Sequence, residues 1–264
     1  MNLLAKLADV ATGGLAKQVF NVVKTYFPPN MSPEQEANAK RARSHYDIGV
    51  DHVKHGRIEM GLREYLAAAA LSPRNAEYQH ALGMGYVQKE HYVEAEEHLR
   101  RALEVVPEYH DARFNLSVLL LGRGRFEEAR VEADRLYADP TFPGPWRALS
   151  NRGWAEYQLG RVEQARATFA LTRKFNPVYW PALLNLGILE SEQGRRPEAI
   201  QLYEAVLAQR PGPGAEAEVN FRLGEIYVSL GKRGRAVEHL TAAVVKAPSG
   251  RWGKKSEEAL KLLR

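Results

Sequence analysis

The sequence has no cysteine. That excludes disulfides, thiolate metal sites, cysteine nucleophiles and lipid attachment through a thiol. It leaves the compartment open, because a cysteine-free chain survives in reducing and oxidising spaces alike. A run of about eighteen apolar residues is also missing, so no ordinary membrane-spanning helix is expected. Excess charge of one sign is scarce. There are 37 basic and 32 acidic residues, and the stretch 42–250 holds 27 of each, so the small surplus sits at the two ends. A nucleic-acid surface needs a concentrated basic face to displace counterions, so nucleic acid is not expected as a partner. The phosphate-loop, dinucleotide, HExxH zinc and GxSxG nucleophile motifs are all missing. His52 and His55 stand three apart, but no third ligand is placed to complete a metal site. Glu96-Glu97 and Glu127-Glu128 read as solvated helix faces. No enzyme activity, metal or cofactor is expected.

What remains is an ordinary soluble composition, 45% apolar and 26% charged over 264 residues, enough for one or two domains. Its organising feature is a period. Prolines at 73 and 107 stand 34 apart, as do Pro177 and Pro211. Small residues recur in the same register at Gly61, Ala95, Ala129, Ala165, Ala199 and Ala236, with spacings of 34, 34, 36, 34 and 37. The repeats are 42–75, 76–109, 110–143, 146–179, 180–213 and 217–250. The extra residues fall in PTFPGPW and RPGPGAE, Pro/Gly-rich stretches that absorb insertions.

Each repeat predicts helix, tight turn, helix. Repeat two runs Leu82-Gly83-x-x-Tyr86, then Ala95, Leu99, Ala102 and Pro107, and repeat six follows with Leu223-Gly224-x-x-Tyr227, Ala236, Leu240, Ala243 and Pro248. Small residues at positions eight and twenty let two helices approach, and large apolar residues at seven, eleven and twenty-four fill the space around them. Gly56, Gly124, Gly160, Gly194 and Gly231 stand at position fifteen, where the first helix must end in a left-handed residue; repeat two has Glu90 there. Repeat three departs with Ser117 at position eight, and repeat four with Arg152 at position seven.

This pattern resembles the tetratricopeptide repeat, over 42–250. The resemblance implies an all-α, right-handed solenoid of six helix-turn-helix repeats with a C-terminal capping helix. It divides the chain into 1–31, an amphipathic segment and hinge; 32–250, the array; and 251–264, the cap. Ser32-Pro33-Glu34-Gln35 predicts a helix start near residue 33. In the cap, Ser256 is the expected N-cap and Ala259, Leu260 and Leu263 the inward stripe.

Leu4, Leu7, Ala11, Leu15, Val19, Val22, Val23 and Tyr26 recur at helical spacing. Lys6 and Asp9 interrupt the apolar run, so this is no convincing signal peptide. Three destinations stay open for it: the array of its own or a neighbouring copy, a separate partner, or a membrane surface. Cytoplasm or the membrane periphery is favoured, with the compartment left open.

The resemblance further implies that positions 2, 5, 9, 12 and 13 of each repeat line a concave groove. The groove residues are then Tyr46, Val50 and Val53 from repeat one and His80, Met84 and Val87 from repeat two. Repeat three supplies Phe114, Val118 and Leu121, and repeat four Trp154 and Tyr157. Leu184 and Ile188 follow from repeat five and Phe221 from repeat six. Position two holds Arg43, Glu77, Asp111 and Arg147 in the first four repeats. Family members that clamp a terminal carboxylate place Lys, Asn and Arg at positions five and nine; this chain does not. An apolar trough is therefore expected to be covered in use, by an amphipathic helix or apolar peptide anchored on Trp154 and Tyr157.

Ala42-Arg43-x-x-Tyr46-x-x-Gly49 and Asp139-Pro140-Thr141-Phe142 are also similar to the opening and the insertion of tetratricopeptide pilotins of the type IV pilus secretin. Those carry a lipidated cysteine, which this chain lacks. The expected function is a non-catalytic protein-interaction scaffold, in pilus or envelope assembly. The alternative is self-assembly into a homo-oligomer, with 1–27 filling a neighbour's groove.

Overall fold

A computed structural model describes residues 31–263. The amphipathic stretch 1–27 lies outside the described residues, and so do the expectations about its destination. The first helix, α1 (Pro33–Lys54), begins as its residues dictate. Ser32 Oγ accepts from the Gln35 N–H at 3.2 Å, and Gln35 Oε1 accepts from the Ser32 N–H at 2.9 Å. Two otherwise orphaned donors are satisfied, and Glu34 and Glu36 face the positive end of the helix.

Twelve more helices follow among the described residues, and no strand. They are α2 (Ile58–Leu71), α3 (Ala76–Gln88), α4 (Tyr92–Val105), α5 (His110–Gly122) and α6 (Phe126–Ala138). Next come α7 (Pro145–Gln158), α8 (Val162–Phe175), α9 (Trp180–Glu192), α10 (Arg196–Ala208), α11 (Pro213–Ser229), α12 (Arg233–Lys246) and α13 (Arg251–Leu262). Successive pairs form the six hairpins read from the period, and α13 follows them. Each hairpin turns through a left-handed residue. Gly56, Gly124, Gly160, Gly194 and Gly231 have φ between 67° and 76°, and Glu90 takes the same place at φ 60°.

The two helices of a hairpin meet across a small–large pair. A Cβ on Gly83 would lie 2.8 Å from Leu99, one on Gly187 2.6 Å from Tyr203, and one on Gly224 2.6 Å from Leu240. Hairpin three reverses the sizes. Ser117 stands at position eight, and Ala133 stands where the others carry Leu, Tyr or Phe. Ser117 is fully buried; its Oγ donates to the Phe114 carbonyl and accepts from Asn151 Nδ2, both at 2.7 Å. The Arg152 departure is also absorbed. Its guanidinium reaches the buried Glu156 at 2.8 Å, which accepts a second bond from the Thr168 hydroxyl at 2.7 Å.

A polar rung also joins positions four and twenty-three in four hairpins. The pairs are His45–Glu64 (2.7 Å), Gln79–His98 (2.7 Å), Arg113–Glu132 (2.6 Å) and Asn220–His239 (2.9 Å). Hairpin five has Leu183 and Leu202 in those positions.

The chain divides into two compact bodies, with the boundary between Asn151 and Arg152 inside α7. In the N-terminal body, the Asp139-Pro140-Thr141-Phe142 insertion folds on itself. Asp139 accepts from the Thr141 N–H at 2.8 Å and holds His110 at 2.8 Å, and Phe142 packs edge-on to His110. Burial pushes the Asp139 carboxyl up, but the His110 and Thr141 bonds outweigh it and hold the group below its ordinary value.

In the C-terminal body the cap corrects one expectation. Ser256 is not the N-cap of α13. Gly250 is, and Ser256 lies buried within the helix. Pro248 stops α12 and Gly250 supplies an extended entry, so the next helix starts six residues early. Ala259, Leu260 and Leu263 do pack inward, joined by Trp252.

Candidate functional site

The first helix of each hairpin carries the residues singled out from the sequence. In the N-terminal body they lie along α1, α3 and α5. Tyr46 is half-buried, its ring 5.6 Å from that of Tyr65 and 5.2 Å from that of Tyr78. Arg43 lies over the same ring and pairs with Asp47 at 2.9 Å and with Glu77 on α3 at 3.3 Å. Burial raises the pKa of Tyr46 and pushes Tyr65 and Tyr78 up to about 12, so all three stay neutral hydroxyls.

Further along this face Asn115 Nδ2 lies 2.8 Å from His80 Nε2. An amide nitrogen can only donate, so Nε2 accepts and the neutral ring carries its proton on Nδ1, 3.3 Å from the Tyr109 hydroxyl. Burial holds His80 below its ordinary pKa, against the nearby Asp111. Phe114 is half-buried with the Arg147 guanidinium 3.9 Å from its ring centre.

Position nine is the open line of this body. Val50 is 40% exposed and Val118 44%, and Met84 between them is half-buried. Position twelve is less open. Val53 packs with Leu62, Tyr65 and Leu82, and Val87 and Leu121 lean on the core of hairpins two and three.

The C-terminal body differs. Trp154 and Tyr157 are half-buried, with ring centres 5.3 Å apart, and both pack on a core that contains Leu184 and Ile188. The Tyr157 hydroxyl donates to Glu192 at the end of α9. Burial and that bond together raise its pKa. Leu184 is 7% exposed, Ile188 5% and Phe221 7%. These three are therefore core residues, not open groove surface. Trp154 and Tyr157 pack against the core that holds the first two, and Trp252 lies tilted with its ring centre 5.3 Å from that of Phe221 and Lys255 above both rings. Position nine of repeat six is Glu225, which is exposed and charged. Exposed aliphatic side chains at position nine are thus found, among the described residues, in the N-terminal body alone.

Sequence reading missed Trp252, whose signal was an aromatic inside a stretch otherwise basic. It also missed Tyr109 and Asn115, which fix His80 from positions outside the family's groove pattern. Among the described residues no group of His, Asp and Glu is arranged to hold a metal ion, and no helix is long and apolar enough to cross a membrane.

Comparison with known proteins agrees with the repeat fold. The tetratricopeptide repeat model matches residues 80–145, 150–216 and 184–251, more than half of the chain. No curated protein matches it in sequence. Among solved structures it is similar to PilW, described as a widely conserved type IV pilus biogenesis factor, with TM-score 0.70 and 20% identity over 81% of this chain and 97% of that one. It is similar to pilF of Pseudomonas aeruginosa, with TM-score 0.67 and 18% identity over 84% and 99%. A third is YrrB, described as having an unusual peptide-binding site, with TM-score 0.53 and 21% identity over 68% and 93%. The fold is the all-α solenoid of a family of protein-interaction scaffolds, and the chain belongs to the tetratricopeptide repeat family.

Proposed function

We propose that this protein is a non-catalytic scaffold whose N-terminal body docks an apolar segment of a protein partner during assembly of a pilus- or envelope-associated complex. One observation carries the reading. The row Val50–Met84–Val118 leaves two valines 40% and 44% exposed on a face that also presents Tyr46 and Phe114. Single exposed aliphatics occur elsewhere on these helices, but a row of them bordered by charge fits an amphipathic helix or an extended apolar peptide. Arg43, Glu77, Asp111 and Arg147 form the border, two acidic residues between two basic ones, a pattern that sets register more than affinity. The pilus context is supported by the solved relatives, two of which are named for pilus biogenesis or as a pil protein, and by the insertion before α7.

The test is photo-crosslinking in cells from single positions Val50, Val118 and, as control, Val245, which is 72% exposed on α12. The first two are expected to trap one common protein that Val245 does not. With the crosslinker moved to Met84, the double variant Val50→Glu, Val118→Glu is expected to lose that adduct while melting within about 0.5 kcal/mol of the parent, as surface changes do. An adduct retained by a folded double variant refutes the reading. If the trapped protein is a second copy, and deletion of 1–27 removes it, self-assembly replaces the adaptor.

A further inference from the structure

We propose that the C-terminal body holds a second ligand site, a cleft of about 520 Å3 between α8, α9 and α10 that takes a short apolar group bearing a carboxylate. The site is independent of the first-helix face. Its origin is the missing rung of hairpin five. In hairpin three, Arg113 fills the corresponding place, bridging Glu132 at 2.6 Å and the Pro107 carbonyl at 2.5 Å. In hairpin two, Gln79 does the same with His98 and the Pro73 carbonyl. Leu183 and Leu202 can make neither bond, so the space beside Pro177 stays open and its floor is apolar, completed by Leu186 and Ala205.

The rim carries three arginines. Arg166, Arg173 and Arg195 line the cleft with Glu190 and Glu198, and Arg166 Nη1 also meets both oxygens of Glu163 at 2.9 Å. Glu190, only 7% exposed, accepts from Arg166 Nε at 3.0 Å and from Arg195 Nε. That leaves Nη2 of Arg166 and Nη2 of Arg195 buried without an acceptor. Arg173, exposed at the rim, is the guanidinium open to a bound anion, and Arg166 and Arg195 add positive charge behind it. The volume lies in the range of small-molecule and side-chain pockets. An apolar body for the floor and a carboxylate for the arginines describes either an alkyl carboxylate or the C-terminus of a chain ending in an apolar residue.

The full chain is titrated calorimetrically with octanoate and with acetyl-Gly-Leu-Leu acid, each beside its uncharged amide. One or both acids should bind a single site roughly tenfold tighter than the matching amide, a difference of about 1.4 kcal/mol. Binding of octanoate alone assigns the site to alkyl carboxylates, and binding of the tripeptide alone to chain termini. Arg173→Gln, an exposed change, should weaken the acid while leaving the melting curve in place. Leu183→Arg with Leu202→Glu, which rebuilds the rung of hairpin three, should abolish binding. Acids that bind no tighter than amides, no binding by either acid, or undiminished binding in the rebuilt variant overturns the proposal. Should the rebuilt variant fail to fold, undiminished binding in Arg173→Gln overturns it in its place.

Discussion

The two bodies are built from the same hairpin, yet they finish their first-helix faces in opposite ways. In the N-terminal body position nine of the family's groove pattern stays open at Val50 and Val118. In the C-terminal body Leu184, Ile188 and Phe221 belong to the same pattern but are buried in cores against which Trp154, Tyr157 and Trp252 pack. The backbone period fixes which way a side chain faces; the volume of its neighbours decides whether water reaches it. A face of a repeat protein is thus a joint property of two adjacent hairpins.

The sharpest way to break this comparison is to truncate equivalent positions. Ile188→Ala should destabilise the protein by about 3 kcal/mol, because a buried aliphatic loses both its transfer energy and its packing. Val118→Ala, at the same repeat position, should cost less than about 0.5 kcal/mol. Paired denaturant titrations decide, and similar costs at the two sites would erase the distinction. Next in size is Trp252→Ala. It uncovers Phe221 and removes the platform for Arg222, Arg251 and Lys255, at a cost of about 2 kcal/mol confined to α11–α13. Hydrogen exchange should show protection lost there and kept in α1–α6.

The smallest effect is acid sensitivity. Burial holds His80 and His98 in the N-terminal body, and His239 in the C-terminal body, below the ordinary imidazole value of 6.5. A group with a lowered folded pKa binds its proton more readily when unfolded, so its contribution is whole above pH 6.5 and is lost as pH falls through the folded value. Glu77, pushed up by burial, works in the opposite sense nearer the carboxylate range. Between about pH 7 and 5.5 the N-terminal body should therefore lose more protection than the C-terminal one. Exchange rates corrected for intrinsic pH dependence would show it, and equal or greater loss in the C-terminal body would contradict it.

Much of the fold was legible because turns and close contacts leave few residue choices. A glycine fifteen places into five of the six repeats marked a left-handed backbone, and Ser32 with Gln35 marked a helix start that both hydrogen bonds realise. Ser256 misled because a serine within a helix can be buried for its size alone, and the earlier Pro248 and Gly250 were the true boundary. The site was legible only in part. Register placed Ile188 and Val118 on equivalent faces, but one of them is buried in a core against which Trp154 and Tyr157 of a neighbouring helix pack. The cleft of the C-terminal body had no local signature at all. It arises from a bond that two leucines fail to make.

Hairpin three, with Ser117 opposite Ala133 by register, bears on how such arrays change over time. Its neighbours hold a glycine against a bulky side chain, so moving one hairpin toward the other's solution by a single substitution leaves either a collision or a hole. The two residues must be exchanged together. Each hairpin is in this sense a lock cut for its own key, and modules can be duplicated or shuffled freely only when both halves travel as one piece.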